Sequence, residues 1–167
     1  MLAADCAWAV LRAEHAHIRE LLTLVENAVE SGGWAFGGSQ AQQLSALIER
    51  VQAFDQTTHR PKGVVLVQAL RGRSVQADDL LIRLESARDH GDELLTEATN
   101  RLKAAASGVP IAASGVDALL KEHRLLVLAH LDEEDSLLCT HTAEHLTRED
   151  WAAVASSISV TMVPAKV

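Results

Sequence analysis

Residues 116–140 read VDALLKEHRLLVLAHLDEEDSLLCT. Apolar residues recur here at three- and four-residue steps, the period of a helix with one buried face. Val116, Leu119, Leu120, Leu126, Val127, Leu137 and Leu138 are expected to face inward. His123, His130 and Glu134 share that face, at spacings of seven and four. His130 and Glu134 are one turn apart, so their side chains point the same way. A carboxylate among apolar side chains is costly to bury without a partner, and a metal cation is one such partner.

The same period recurs upstream. Residues 75–106 carry Leu80, Leu84, Ala87, Leu95 and Ala98, with His90 at the edge of the stripe. Residues 40–70 carry Leu44, Leu47, Ile48, Val51 and Phe54, arriving at His59. Pro61 interrupts this segment and predicts a bend or restart near residues 57–61, because proline removes a helical hydrogen bond. Residues 4–30 carry Leu11, Ile18, Leu22, Val25 and Val29, with His15 inside the stripe. The breaks are SGGWAFGGS at 31–39, the basic turn RGRS at 71–74 and SGVPIAASG at 107–115. Glycine-rich stretches of this kind stop helices, and the first of them reads as a flexible connection. Thr147 with Asp150 three residues on resembles a capping box, so a short fifth helix is expected there, packing Trp151 and Val154. The tail 161–167 is expected to fray. No alternating strand pattern competes. The fold class predicted is all-α: an up-down-up-down antiparallel four-helix bundle with a short C-terminal fifth helix, in one domain over residues 1–160.

Composition narrows the function. The 167 residues carry a formal net charge of -8, which speaks against nucleic-acid binding. No apolar run approaches the roughly 20 residues that span a membrane. The N-terminus lacks the positive region of a signal peptide. Cys6 and Cys139 are isolated, without a CxxC spacing, and a cytoplasmic location with reduced thiols is expected. No Ser/His/Asp set, phosphate-binding glycine loop or nucleotide fingerprint is visible. Any catalysis would rest on a metal alone.

Eight histidines are present, and each long helix contributes one to its inward face or its edge: His15, His59, His90 and His130. Inward residues at similar depth on facing helices converge in a bundle, and imidazoles with a carboxylate suit iron, zinc or manganese. His17 points elsewhere. His141 and His145 lie at the end of the fourth helix, where the dipole favours a basic side chain. Of the acidic run at 132–135, only Glu134 is in register with His130.

The chain resembles the hemerythrin-like (HHE cation-binding) family. The resemblance rests on LRAEHAHIRELL (11–22), THRPKGVVLVQAL (58–70), LESARDHGDELL (84–95), LVLAHLDEEDSLL (126–138) and the trailing EHLTREDWAAV (144–154). It implies a non-heme diiron centre with bridging carboxylates, serving to bind or sense O2, NO or peroxide, or to handle iron. By position it implies His15, His59, His90, His130 and Glu134 as ligands. The family's HxxxE on its second helix is broken here, because Gly63 stands where the glutamate belongs. Arg60 stands at the second histidine of the HHPKE variant. Three outcomes follow: two irons with water or hydroxide in the gap, one metal, or an empty site in a degenerate regulatory or interaction module. Asp55, four residues before His59, and His123, two turns before His130, are the candidates for compensation. Their alternative readings are a solvated carboxylate and a buried, hydrogen-bonded imidazole.

Overall fold

The computed structural model describes residues 2–161. All its regular elements are helical. Helix α1 spans Leu2–Glu30, α2 Gly38–Phe54, α3 Arg60–Leu70, α4 Val75–Ala106, α5 Val116–Glu133, α6 Cys139–His145 and α7 Arg148–Thr161. Two π-helical turns, Asp55–His59 and Glu134–Leu138, join α2 to α3 and α5 to α6 into two long rods. No helix is long and apolar enough to cross a membrane among these residues.

Helix α1 exists because Leu11, His15, Ile18, Leu22 and Val25 recur on one buried face. It stops at Gly32, whose φ of 72° is a left-handed conformation costly for other residues. The following loop is ordered rather than a loose connection. It forms a 3-10 turn over Gly33–Phe36, with Trp34 buried and its indole N–H donating to the Val29 carbonyl at 2.9 Å. That carbonyl near the end of α1 also accepts the Gly32 N–H at 3.1 Å, so both backbone and indole close the helix end. Helix α4 begins where Ser74 accepts the Ala77 N–H, a standard N-terminal cap.

The restart expected near Pro61 takes the form of the first π turn. The Arg60 N–H reaches back five residues to the Asp55 carbonyl, and Pro61 falls in the first turn of α3, where its missing N–H removes no bond. The second π turn adds a residue to the α5–α6 rod. Its buried positions run Leu131, Glu134, Leu138 and Thr142, and Leu137 is left 45% exposed. This corrects the inward placement of Leu137: of two adjacent leucines only one faces the core.

Helix α1 packs against α2 and α5, α4 packs against α2 and α5, and α7 lies on α1 and α3. The expected capping box is present. Thr147 Oγ1 accepts the Asp150 N–H at 3.2 Å, and Asp150 Oδ2 accepts the Thr147 N–H at 2.9 Å. Trp151, Val154 and Ile158 are buried. Thr147→Ala should lower the unfolding free energy in urea by about 1 kcal/mol, and an unchanged midpoint would show that α7 does not depend on its cap. Most of the tail expected to fray, 162–167, lies outside the described residues.

Buried apolar side chains form two clusters. One contains Ile18, Ile48, Val51, Leu95 and Leu131. The other contains Leu11, Leu66, Leu84, Leu138 and Trp151. Between them lies a polar position on α1 and on each of the two rods: His15 between Leu11 and Ile18, His59 between Val51 and Leu66, Glu134 between Leu131 and Leu138. The core is thus two apolar halves separated by one buried polar layer.

Candidate metal centre

Three side chains of this layer meet. His15, His59 and Glu134 are 0%, 2% and 4% exposed. His15 Nε2 lies 3.0 Å from Glu134 Oε2, and His59 Nε2 lies 3.6 Å from the same oxygen. The two rings meet edge to face with centroids 4.9 Å apart. The other Glu134 oxygen, Oε1, accepts from His130 Nε2 at 3.0 Å and lies 3.6 Å from Arg88 Nη2. Both π turns bear directly on this geometry. One ends at His59 and the other begins at Glu134, so each rod changes register where it delivers a ligand-type side chain. Single π turns recur at functional sites for this reason.

The outer nitrogens of the two imidazoles are held by carboxylates. His15 Nδ1 lies 2.8 Å from Asp135 Oδ1, and His59 Nδ1 lies 3.3 Å from Glu14 Oε2. With Nδ1–H so engaged, the hydrogen-bond network assigns Nε2 to the interior. Neither Nε2 has a hydrogen-bond partner, although both are buried. They approach Glu134 closely without the geometry of a hydrogen bond. Buried polar atoms rarely stay unpaired.

A cation fits this arrangement. Ligand atoms held at roughly 2.1 Å from one ion, at angles between octahedral and tetrahedral, lie about 3.0–3.4 Å apart. The observed 3.0 and 3.6 Å are close to that range, and all three ligand atoms lie within 4.8 Å of one another. The electrostatics agree. Burial opposes the charge on Glu134, but His130, His15 and His59 outweigh it and hold the carboxyl well below its ordinary value. Burial also opposes the charge on His59, yet Glu134 and Glu14 raise it to about 9. A cation bound there would compete with protons for the same nitrogens.

The remaining expectations fall as follows. His130 joins the cluster through Glu134. His90 does not: its side chain is 48% exposed, with Nε2 3.0 Å from Glu122 and Nδ1 3.7 Å from Glu93. This corrects its assignment to the core. At the depth of the polar layer α4 lies between Leu84 and Leu95, and there it presents Arg88 and Gly91. Asp55 is also accounted for elsewhere. Arg60 Nε donates to Asp55 Oδ2 at 2.9 Å, and the same guanidinium grips both Asp92 oxygens at 2.9 Å. His123 is buried, away from the cluster, between two cavities. Burial pushes its pKa down to about 4, with only a weak opposing pull from Asp92 and Asp55.

That shift has a sign. His123 binds a proton near pH 6.5 in the unfolded chain and near 4 in the fold, so the unfolded state holds more protons between those values. Stability should fall as pH drops from 6.5 to 4, by about 3 kcal/mol from this residue. Urea melts in chelator should show His123→Gln losing less stability than the parent across that window. Parallel curves would contradict the assignment.

Sequence reading missed Glu14, Lys62, Arg88 and Asp135. Lys62 is 2% exposed, and its Nζ donates to Glu14 Oε1 at 2.5 Å and to the Thr58 carbonyl at 2.7 Å. Asp135, out of register with His130, instead meets His15 Nδ1 at 2.8 Å. Adjacency to His15 and Glu134 was the available signal for Glu14 and Asp135. A second group, His141, Glu144 and His145, lies at the C-terminal end of α6. Its imidazoles stack at 5.9 Å, and the helix dipole alone favours basic side chains there.

Fold and site together define a helical protein with a buried histidine–carboxylate cluster of the kind that holds a cation. The family model of the hemerythrin HHE cation-binding domain matches residues 6–141. The chain belongs to that family. No curated protein and no solved structure matches it.

Proposed function

We propose that this chain is a hemerythrin-like protein that holds one non-heme iron in the core of an up-down-up-down four-helix bundle, a single domain located in the cytoplasm. Its role is to bind or sense a small ligand such as O2, NO or peroxide, or to handle iron. The observation that carries this reading is the convergence of His15 Nε2 and His59 Nε2 on Glu134 Oε2, buried and without hydrogen-bond partners.

The residues divide the work. His15, His59 and Glu134 hold the ion, with His130 steadying the second Glu134 oxygen. Asp135 and Glu14 fix the orientation of the two imidazoles. Iron held this way supplies open coordination positions for a small ligand. The chain supplies a small pocket: a cavity of about 60 Å³ lies beside His59 and His130, with apolar walls from Ile18, Val51, Leu95 and Val127 and a charged side at Asp55, Arg60, Arg88 and Asp92. That volume has room for a diatomic molecule.

Anaerobic loading with Fe(II), followed by elemental analysis and by absorbance on admitting air, tests the reading. One iron per chain, lost on substituting Glu134, is the expected result. Two irons with oxo-bridge absorption would restore the diiron expectation. The absence of stoichiometric metal would favour the other reading, a degenerate member acting as a regulatory or interaction module. The guanidinium of Arg88 beside Glu134 is the observation that favours that alternative.

A further inference from the structure

We infer that Arg88 is a built-in cation that takes the ground of a second metal and limits this core to one ion. The inference rests on the one-ion reading of His15, His59 and Glu134 and concerns the other side of the same carboxylate.

A carboxylate that gives one oxygen to a cation can bridge to another through its second oxygen. In this chain the first oxygen, Oε2, faces His15 and His59, and the second, Oε1, faces away from them. Two groups meet Oε1: His130 Nε2 at 3.0 Å and Arg88 Nη2 at 3.6 Å. His130 is an available ligand, so that side of Glu134 already has two of the groups a second ion needs. A third protein ligand for that ion could come from a carboxylate on α3, and an imidazole from α4 would only add a fourth. Gly63 supplies no side chain, and His90 points to solvent.

Gly63 and Arg88 are complementary in space as well as in charge. A Cβ built on Gly63 would find one group within 4 Å, Arg88 Nη2 at 3.8 Å. The guanidinium therefore lies within van der Waals reach of the first side-chain atom that any other residue at 63 would carry. Its side chain is 14% exposed, so it is largely withdrawn from solvent. It also lines the small cavity together with His59 and His130.

Arginine suits this place because it does not lose its proton in proteins. A lysine there could shed its charge to admit a metal, but a guanidinium cannot. A divalent ion at Oε1 would sit beside a fixed positive charge in a poorly solvated setting, where like charges repel strongly. The loss of one carboxylate is thus matched by the loss of one metal ion, and Arg88 adds a fixed positive charge beside Glu134 Oε1. Restoring a glutamate at 63 does not by itself rebuild a two-metal site. The new carboxylate would pair with Arg88 and be spent as an ion pair.

Metal counting on the full chain tests this. The background is His141→Ala with His145→Ala, so the surface group on α6 adds nothing. Each protein is loaded with Fe(II) anaerobically, freed of loose metal, and analysed for iron per chain, with Mössbauer spectra to show whether irons are coupled. The background and its Gly63→Glu version are expected to hold one iron. Gly63→Glu combined with Arg88→Met is expected to hold two, magnetically coupled. If that pair does not fold, as judged by circular dichroism, Arg88→Gln takes the place of Arg88→Met.

Two irons in Gly63→Glu alone would overturn the inference, because Arg88 would then be no barrier. One iron in the folded combined variant would overturn it too. Failure of the one-ion reading is separate: the background would hold no iron. In that case, iron gained on Arg88→Met alone supports Arg88 as the excluding cation, and none gained overturns it.

Discussion

Glu134→Gln strips the core of its metal and leaves the chain helical. The amide keeps the shape of the carboxylate and one of its acceptor oxygens but removes the charge. That charge is the focus of the cluster, with His15 at 3.0 Å, His59 at 3.6 Å and His130 at 3.0 Å. Loss of an outer group that merely orients a ligand lowers metal affinity by about 10- to 100-fold. Loss of the only carboxylate ligand should exceed that, so affinity for Fe(II) falls by more than about 100-fold. Competition with a chelator of known affinity measures it, and circular dichroism checks the fold. Affinity within a few-fold of the parent would mean that the ion, if bound, is held elsewhere.

Lys62→Met is the second large effect, and it acts on stability first. The Lys62 side chain is 3% exposed and that of its partner Glu14 11%. Removing one member of a buried pair leaves the other charge short of a partner, at a cost of up to about 3 kcal/mol, with His59 Nδ1 still beside Glu14. Here the Thr58 carbonyl, also bound by Lys62, loses its donor as well. Urea melts in chelator should show that loss. The double variant Lys62→Met with Glu14→Gln should recover part of it, because no stranded carboxylate remains. Simple addition of the two single effects would show that the pair is not coupled. Lys62 also sets the position of Glu14, which holds His59 Nδ1, so iron affinity should fall about tenfold in Lys62→Met.

Much of this molecule could be read from its sequence, for identifiable physical reasons. Both ends of helix α4 are legible because the RGRS turn precedes it and the Ser107–Gly108 break follows it. His15, His59 and Glu134 lie within or at the end of apolar stripes, and a stripe position becomes a core position when helices pack. His90 shows the limit. It is six residues from Leu84 and five from Leu95, so a 3.6-residue period turns it outward, while 84, 88, 91 and 95 stay in line. Counting along that line finds Arg88; matching the motif finds His90.

The π turns were less legible. Each adds a residue within a helix, and whether the chain tolerates it depends on packing against neighbours. Pro61 hinted at the first, and no residue type marked the second. That hidden shift is why Leu137 was expected inside. The inward position of Arg88 can be counted from the sequence, but its neighbours Gly63 and Glu134 lie on other helices and only the packed fold brings them together.

Crystals of the iron-loaded protein, with anomalous scattering recorded at the iron edge, test the central claim most directly. One peak per chain, within bonding distance of His15 Nε2, His59 Nε2 and a Glu134 oxygen, with the Arg88 guanidinium on the far side of Glu134, is the expected result. Two peaks bridged by Glu134, or no peak in the core, would contradict it.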